Sequence, residues 1–417
     1  MTAISSNLNW GKDFWVGIIE ADGKGYYAYL PAIFIYDDLN FGFFDEIEKD
    51  KYYHENLFYD YRSWAHEKVI NKYYCGTALA ELPFFIIADL GARVFDFEAD
   101  GYSKIYPVLI SIAALFYLLI GLIFMNLTLK FYNVNELQRS LVLITSVFGT
   151  NLFYYTVGEP GMSHIYSFAF VSMFLYYSKC YFLYHEKRHI LILAIVLGII
   201  VLIRPINVLI ILILPTTAGS FSSLKKGVIF AFKRYLWLLY GFIAFFGIVS
   251  IQLIIYKIST GYFFVDSYGA EGFIFLSPHI FDILLSYKKG LFLYTPIFLV
   301  SLTGGYFLWK KSRFEFYSMF GFLFLITYVF SSWWMWFYGG SFSSRVYVEY
   351  IPVFMILLSL SIKGINIKFA KSVFVSMVIL LIVVCQIQTF QYRYGFIHWS
   401  EMNKEKYWEV FMRIDKL

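Results

Sequence analysis

Asp22 stands in the run Glu20-Ala-Asp-Gly-Lys-Gly-Tyr-Tyr, where a carboxylate leads into a tyrosine-rich segment. A carboxylate so placed can accept a proton as a general base, or it can be the ordinary Asp-Gly turn that starts a helix. Tyr26 and Tyr27 follow closely and are supporting side chains for the same position. Glu159 and His164 lie in Gly-Glu-Pro-Gly-Met-Ser-His-Ile-Tyr, a tight turn between two apolar runs. There they could relay a proton, ligate a metal or hydrogen-bond the helix ends. Arg204 interrupts a long apolar stretch. An arginine within a membrane costs about 2.5–3.5 kcal/mol on insertion scales and so needs a partner. A lipid phosphate, the headgroup region or a structural carboxylate would serve. Lys288, Lys289 and Arg345 add cations, and Gly339-Gly340-Ser341 lets backbone approach a ligand closely. The rings of Trp333-Trp334-Met335-Trp336 could stack on the apolar face of a sugar, although most aromatics in such a chain line interfaces or fill the core. Asp22, Glu159 and His164 could also converge on a divalent metal ion, but no ligand spacing demands one and no other cofactor is indicated.

These residues need a scaffold, and composition says which kind. Of 417 residues, 59% are hydrophobic and 15% charged, with mean hydropathy +0.62. Ordinary globular domains carry about 25% charged residues. The deficit leaves stretches such as LVLITSVFGTNLFYYTVG and LILAIVLGIIVL without a polar coat, and a bilayer is the solvent that fits them. The net charge of +5 does not imply nucleic acid, because the basic residues form no stripe; they cluster between apolar runs. Cys75, Cys180 and Cys385 supply neither a disulfide framework nor a cysteine-rich metal site.

The fold class expected is therefore all-α, a polytopic integral membrane bundle of about ten hydrophobic helices. Spanning segments are expected near 104–125, 139–157, 162–183, 235–256, 291–309, 314–332, 346–362 and 372–389, each near the ~20 residues a hydrocarbon core requires. The stretch 189–219 is broken at Arg204-Pro205 and reads as a hairpin with its tip there, since proline removes a backbone donor. Alternate connections are basic: Lys130 and Arg139; Lys187 and Arg188; Lys225, Lys226, Lys233 and Arg234; Lys310, Lys311 and Arg313; Lys363, Lys368 and Lys371. The positive-inside rule makes them cytoplasmic and puts residues 1–103, Gly158 to Gly161, 257–290, 333–345 and the tail on the outer face. The expected organisation is an outer-face segment 1–103 with two juxtamembrane helices, a transmembrane bundle 104–390 and a short polar outer tail 391–417. The segments 26–36 and 75–95 carry Pro31 and Pro83 among aromatics and suit helices lying in the outer interface; 75–95 could instead cross. An acidic region, 45–67, lies between them.

The order of Asp-Gly-Lys-Gly-Tyr-Tyr-Ala-Tyr-Leu-Pro (22–31), Gly-Thr-Ala-Leu-Ala-Glu-Leu-Pro-Phe-Phe (76–85), Met-Ser-His-Ile-Tyr-Ser-Phe (162–168), Arg-Pro-Ile-Asn (204–207), Lys-Lys-Gly-Leu-Phe-Leu-Tyr-Thr-Pro (288–296) and Trp-Phe-Tyr-Gly-Gly-Ser-Phe-Ser-Ser-Arg (336–345) resembles bacterial membrane glycosyltransferases of the GT-C superfamily. The similarity is greatest to the branch of the protein O-mannosyltransferases and aminoarabinose transferases, and it covers nearly the whole chain. The resemblance implies transfer of a sugar from a polyprenyl-phosphate donor to a glycan, lipid or protein acceptor at the non-cytoplasmic face of the bacterial inner membrane. It makes Asp22 the catalytic carboxylate and gives Arg204, Arg345 and Lys289 the donor phosphate, with His164, Glu159, Tyr26 and Tyr27 supporting. Segments 26–36 and 75–95 match the superfamily's juxtamembrane pair. Two departures stand out. The superfamily's first outer loop follows a spanning helix, whereas the residues before Asp22 are too few and too polar to span, so either the chain starts short of that helix or its N-terminus lies outside. Gly23 stands where the O-mannosyltransferases carry a second acidic residue, which leaves the acceptor open.

A transporter or flippase of lipid-linked sugar would use Arg204 and the broken hairpin equally well. Against it, no repeat relates the two halves, and the polar candidates collect at one face. A structural subunit would leave Asp22, Arg204 and Arg345 free to vary without loss of activity.

Overall fold

The computed structural model describes residues 1–52 and 59–414. About 70% of the described part is helical. Among the described residues the strands are confined to one antiparallel hairpin, β1 (Arg62–Ala65) with β2 (Lys68–Asn71), Arg62 opposite Asn71. Residues 53–58 of the acidic region and 415–417 of the tail lie outside the described part.

The first hundred residues fold as short pieces: α1 (Thr2–Asn9), α2 (Asp22–Tyr27), α3 (Tyr29–Phe34) and a π-helical run Phe44–Lys51, then the hairpin and α4 (Gly76–Val94). Helices α2, α3 and α4 take up the two expected segments 26–36 and 75–95. Helix α4 is two-faced. Ala78, Ala80, Glu81, Phe85, Ala88 and Ala92 are buried, while Leu79, Ile86, Ile87, Leu90 and Val94 face outward with an apolar surface.

The bundle follows. Helices α5 (Ile105–Phe131), α6 (Glu136–Phe148), α7 (Ser163–Tyr184) and α8 (Lys187–Ile203) lead to the break at Arg204, after which a 3-10 run Pro205–Ile213 and α9 (Leu214–Ala218) return. Pro205 lacks the amide that would continue α8, so the break falls where the sequence places it. Helices α10 (Phe221–Lys233) and α11 (Tyr235–Thr260) come next, with Ser220 capping α10 through its hydroxyl. Helix α10 falls in a connection for which no helix was expected. The expected span 291–309 is three short helices, α13 (Leu291–Tyr294), α14 (Ile297–Ser301) and α15 (Gly304–Lys311), after α12 (Ile280–Leu285). Pro296 and the pair Gly304-Gly305 stand at the joints. The expected span 139–157 is likewise split: α6 stops at Phe148, and a π-helical turn occupies Tyr154–Gly158. Helix α16 (Arg313–Ser331) is capped by Ser312, which accepts from the Glu315 amide. A 3-10 run Arg345–Tyr350 leads into α17 (Ile351–Gly364); α18 (Lys368–Arg393) and α19 (Lys404–Val410) close the chain.

Among the described residues, five helical segments are long and apolar enough to cross a membrane, by length and composition: 105–131, 235–260, 313–331, 345–364 and 368–393. Helices α5, α7, α8 and α11 pack side by side in that order, and α17 packs against α6, α14 and α15. The segment 345–364 is the axis of the core, with 94% of its apolar window buried, against 17% for 235–260 at the periphery.

Several basic connections meet at one end. Lys363 Nζ donates to the Tyr132 carbonyl at 2.8 Å, and Lys179 and Lys311 each stand 5.3 Å from the Tyr132 ring centre. Ser312 Oγ donates to the Gly219 carbonyl, and Lys311 lies 3.6 Å from the buried Glu315.

Candidate functional site

The site is built from three places far apart in sequence: the start of α2, the break after α8 and the 3-10 run before α17. Asp22 opens α2 after Ala21, whose φ of 47° turns the chain sharply into the helix. Gly23 then lies against the backbone of Gly161; a Cβ there would come within 3.3 Å of the Gly161 carbonyl, so glycine lets α2 lie on the turn that carries Glu159.

Asp22 is not the solvated turn residue that an Asp-Gly pair can be. Its Oδ2 is 2.7 Å from Arg345 Nη2, and its Oδ1 accepts from the Tyr73 hydroxyl at 2.8 Å, with the Tyr59 hydroxyl a further 2.5 Å behind. Burial works to raise the Asp22 carboxyl. The Arg345 guanidinium beside it, aided by Tyr73, more than offsets that and holds the group below its ordinary range, ionised.

Arg204 has found a structural carboxylate. Its Nη1 is 2.8 Å from Glu349 Oε1 and 3.0 Å from His164 Nδ1, which is itself 3.2 Å from Glu349 Oε1. One nitrogen cannot donate to Glu349 and accept from Arg204 at once, so His164 chooses between them by tautomer. Glu349 is wholly buried, and its second oxygen has no partner. Arg345 and Glu349 come from the same 3-10 run, so one segment supplies the guanidinium for Asp22 and the carboxylate for Arg204.

Asp22, Arg204 and Arg345 face a cavity of about 830 Å³. Asp22, Tyr26, Tyr59, Tyr73, Arg204 and Arg345 make its polar wall. Trp333, Trp334, Met335 and Tyr338 make an aromatic one, and Lys72 and Glu271, paired at 2.5 Å, stand at another side with Tyr268. The volume is that of a site for a small organic ligand.

Of the residues expected from sequence, Asp22, Tyr26, Arg204 and Arg345 therefore share one cavity, and His164 touches Arg204 from behind. Like His164, the other three do not line it. Lys289 is buried, donates to the Ser341 carbonyl and lies 5.2 Å from the Tyr392 ring centre. Burial, reinforced by the Arg345 charge, pushes its ammonium down to about 7, with Glu159 pulling the other way. Glu159 accepts from the Tyr154 hydroxyl at 2.9 Å, and burial pushes its carboxyl up to about 7 against the pull of Arg345. Its neighbour Glu20 is pushed up to about 8 by burial and then by the Glu159 charge. Tyr27 turns away, its hydroxyl donating to the Gly101 carbonyl at 2.5 Å. Among the described residues no three metal-capable side chains gather, so Asp22, Glu159 and His164 do not converge on a common point.

Sequence reasoning missed Glu349, Tyr59, Tyr73 and the Lys72–Glu271 pair. Glu349 left a signal: an acid four residues after Arg345 at the head of an apolar run has to find a cation. The others are brought in by the β-hairpin segment and the loop after α11, whose pairing no local pattern announces.

No protein-family model matches the chain, and no curated protein matches it. The resemblance to GT-C transferases rests on the motifs alone.

Proposed function

We propose that this chain is a polytopic membrane glycosyltransferase that moves a sugar from a polyprenyl-phosphate donor to an acceptor hydroxyl or amine at the non-cytoplasmic face. The membrane part of the reading is supported by five segments of spanning length and by the gathering of basic connections at one end. The chemical part is carried by one observation: an ionised Asp22 and two arginines share a wall of a large, aromatic-lined cavity.

The reaction balances with these groups alone. The acceptor oxygen attacks the anomeric carbon as the bond from that carbon to the phosphate oxygen breaks. The acceptor's proton passes to Asp22, and the electron pair leaves with the phosphate, whose growing charge Arg204 and Arg345 stabilise. Trp333 and Trp334 offer rings on which the sugar can stack. Asp22 begins the cycle held by Arg345. A donor phosphate that draws Arg345 to itself removes the charge that keeps the carboxyl low, so binding makes Asp22 a stronger base.

The test is Asp22→Asn in protein purified with its lipids, compared with Arg204→Ala. The asparagine variant is expected to keep bound isoprenyl lipid, identified by mass spectrometry, and to lose transfer by about 10²–10⁴-fold, the usual contribution of a general base. Arg204→Ala is expected to lose the lipid. Normal transfer by Asp22→Asn overturns the assignment, and lipid translocation without transfer in the wild type moves the function to a flippase.

A further inference from the structure

The stretch between α11 and α12 forms one wall of the cavity through Tyr268, Glu271, Gly272 and Phe273. Its middle is polar and stitched to the β-hairpin segment. Ser267 donates to the Lys72 carbonyl at 2.9 Å and accepts from Ser63 Oγ at 3.2 Å, and Glu271 pairs with Lys72. Its two ends are different. Tyr262 stacks on His66 of the β-hairpin turn, ring centres 4.0 Å apart, and the Phe263 ring lies 5.4 Å from Lys257 Nζ, which leaves Phe264, 81% exposed, as the outward ring. Ile274, Phe275 and Leu276 form the second end, with Leu276 fully exposed.

The exposure at the second end is not that of a loose loop. The Ile274 amide donates to the Ser332 carbonyl at 2.6 Å, the Tyr328 hydroxyl donates to the Phe275 carbonyl at 2.8 Å, and the Phe275 ring stacks on Tyr328. A fixed backbone that holds large apolar side chains outward marks an interaction surface. Continuity says what covers it. The first apolar foot follows directly on α11, where Ile254 and Ile258 are exposed, and the second is held on α16 through Tyr328, one turn on from the exposed Phe324. Both helices are long and apolar enough to span, and the run Phe-Ile-Phe-Leu-Ser-Pro (273–278) carries no charge.

We infer that residues 260–280 are a strap with two lipid-inserted feet, Phe264 and Ile274 to Leu276, both seated in the hydrocarbon of the outer leaflet. The polar middle stays in water on the β-hairpin. The strap then sets the cavity wall at the depth of the headgroups, where a lipid-linked phosphate lies. The inference rests on the membrane reading above, and its test separates the two.

Single cysteines at Phe264→Cys and Leu276→Cys carry an environment-sensitive fluorophore in the full chain, reconstituted in vesicles whose lipids are brominated on the upper part of the acyl chain. Phe242→Cys, on the outward face of α11, reports a spanning helix, and Asp266→Cys reports the polar middle. The wild-type chain corrects for labelling at Cys75, Cys180 and Cys385, all buried. Both foot positions are expected to be quenched as Phe242→Cys is, with Asp266→Cys unquenched. Unquenched feet beside a quenched Phe242→Cys overturn the strap, leave the membrane reading standing and point to a protein partner for the patch. An unquenched Phe242→Cys removes the membrane reading and the strap with it.

Discussion

Removing one half of the Arg204–Glu349 pair and replacing both halves have opposite consequences. Truncating Glu349 leaves a guanidinium without its carboxylate in a nearly closed environment, whereas replacing both partners by apolar side chains of similar size removes the desolvation cost together with the attraction. Glu349→Ala is therefore expected to destabilise the protein by about 3–5 kcal/mol, and the double variant Arg204→Met, Glu349→Leu to recover most of that loss. The double variant is still expected to hold no isoprenyl lipid, because the cation is gone. Thermal midpoints and lipid content measured together check this, and a double variant no more stable than Glu349→Ala would refute the pairing as the source of the effect. Glu159 makes a different claim, about pH. An unfolded glutamate releases its proton near 4.5, while the folded one holds it to about 7. Between those values the folded chain carries a proton that the unfolded chain has lost, so stability falls as pH rises through that window and levels above it. Glu159→Gln keeps the shape of the protonated group and removes its titration. Its thermal midpoint relative to wild type is expected to grow from about pH 5 to about pH 7 and then level. A difference that stays constant with pH contradicts the raised carboxyl.

Helix α4 shows how an element can control the site without lining it. Gly76, the first residue of α4, lies directly on the backbone of Leu202 and Ile203, so that a methyl group there would collide with the last residues before Arg204. Gly76→Ala is expected to cost about 1–3 kcal/mol by overpacking and to weaken retention of the lipid by displacing Arg204. Gly247→Ala on α11, where a methyl meets nothing within 4 Å, is the control and is expected to be neutral or slightly stabilising. Equal effects from the two variants would sink the argument from close packing. The same elements show what could be read beforehand. The break at Arg204-Pro205 was legible because proline is a local chemical fact, and the Tyr-rich helix behind Asp22 and the long spans of α5, α11, α16 and α18 were legible from apolar length. The β-hairpin was not: its turn residues His66 and Glu67 both adopt positive φ, a conformation usually announced by Asn-Gly. Nor was the partner of Arg204. Glu349 comes from a segment that reads as one apolar span, and the pairing spans 145 residues of sequence.

On the scale of the whole molecule, the two ends of the bundle differ in kind. One end gathers Lys179, Lys311 and Lys363 around Tyr132 and the buried Glu315, at the close of α5, α7, α15 and α17. The cavity, with Asp22, Arg345 and the Trp333–Trp334 wall, lies at the opposite ends of α16 and α17 from those lysines, since Arg313 and Gly364 mark the basic end of those segments and Ser331 and Arg345 the cavity end. Lysine and arginine flanking spans are retained on the cytoplasmic side, so the proposed orientation puts the cavity outside. This fixes an order of labelling. Asp266→Cys, exposed in the polar middle of the strap after α11, is expected to react with a membrane-impermeant thiol reagent in intact spheroplasts, whereas Lys226→Cys, exposed on α10, is expected to react only after the membrane is opened. The reverse order would place the cavity on the cytoplasmic side, where a transferase using outer-face lipid-linked sugar could not work, and the assignment of Asp22 would fall with it. Labelling of both positions in intact cells would instead separate α10 from the basic end.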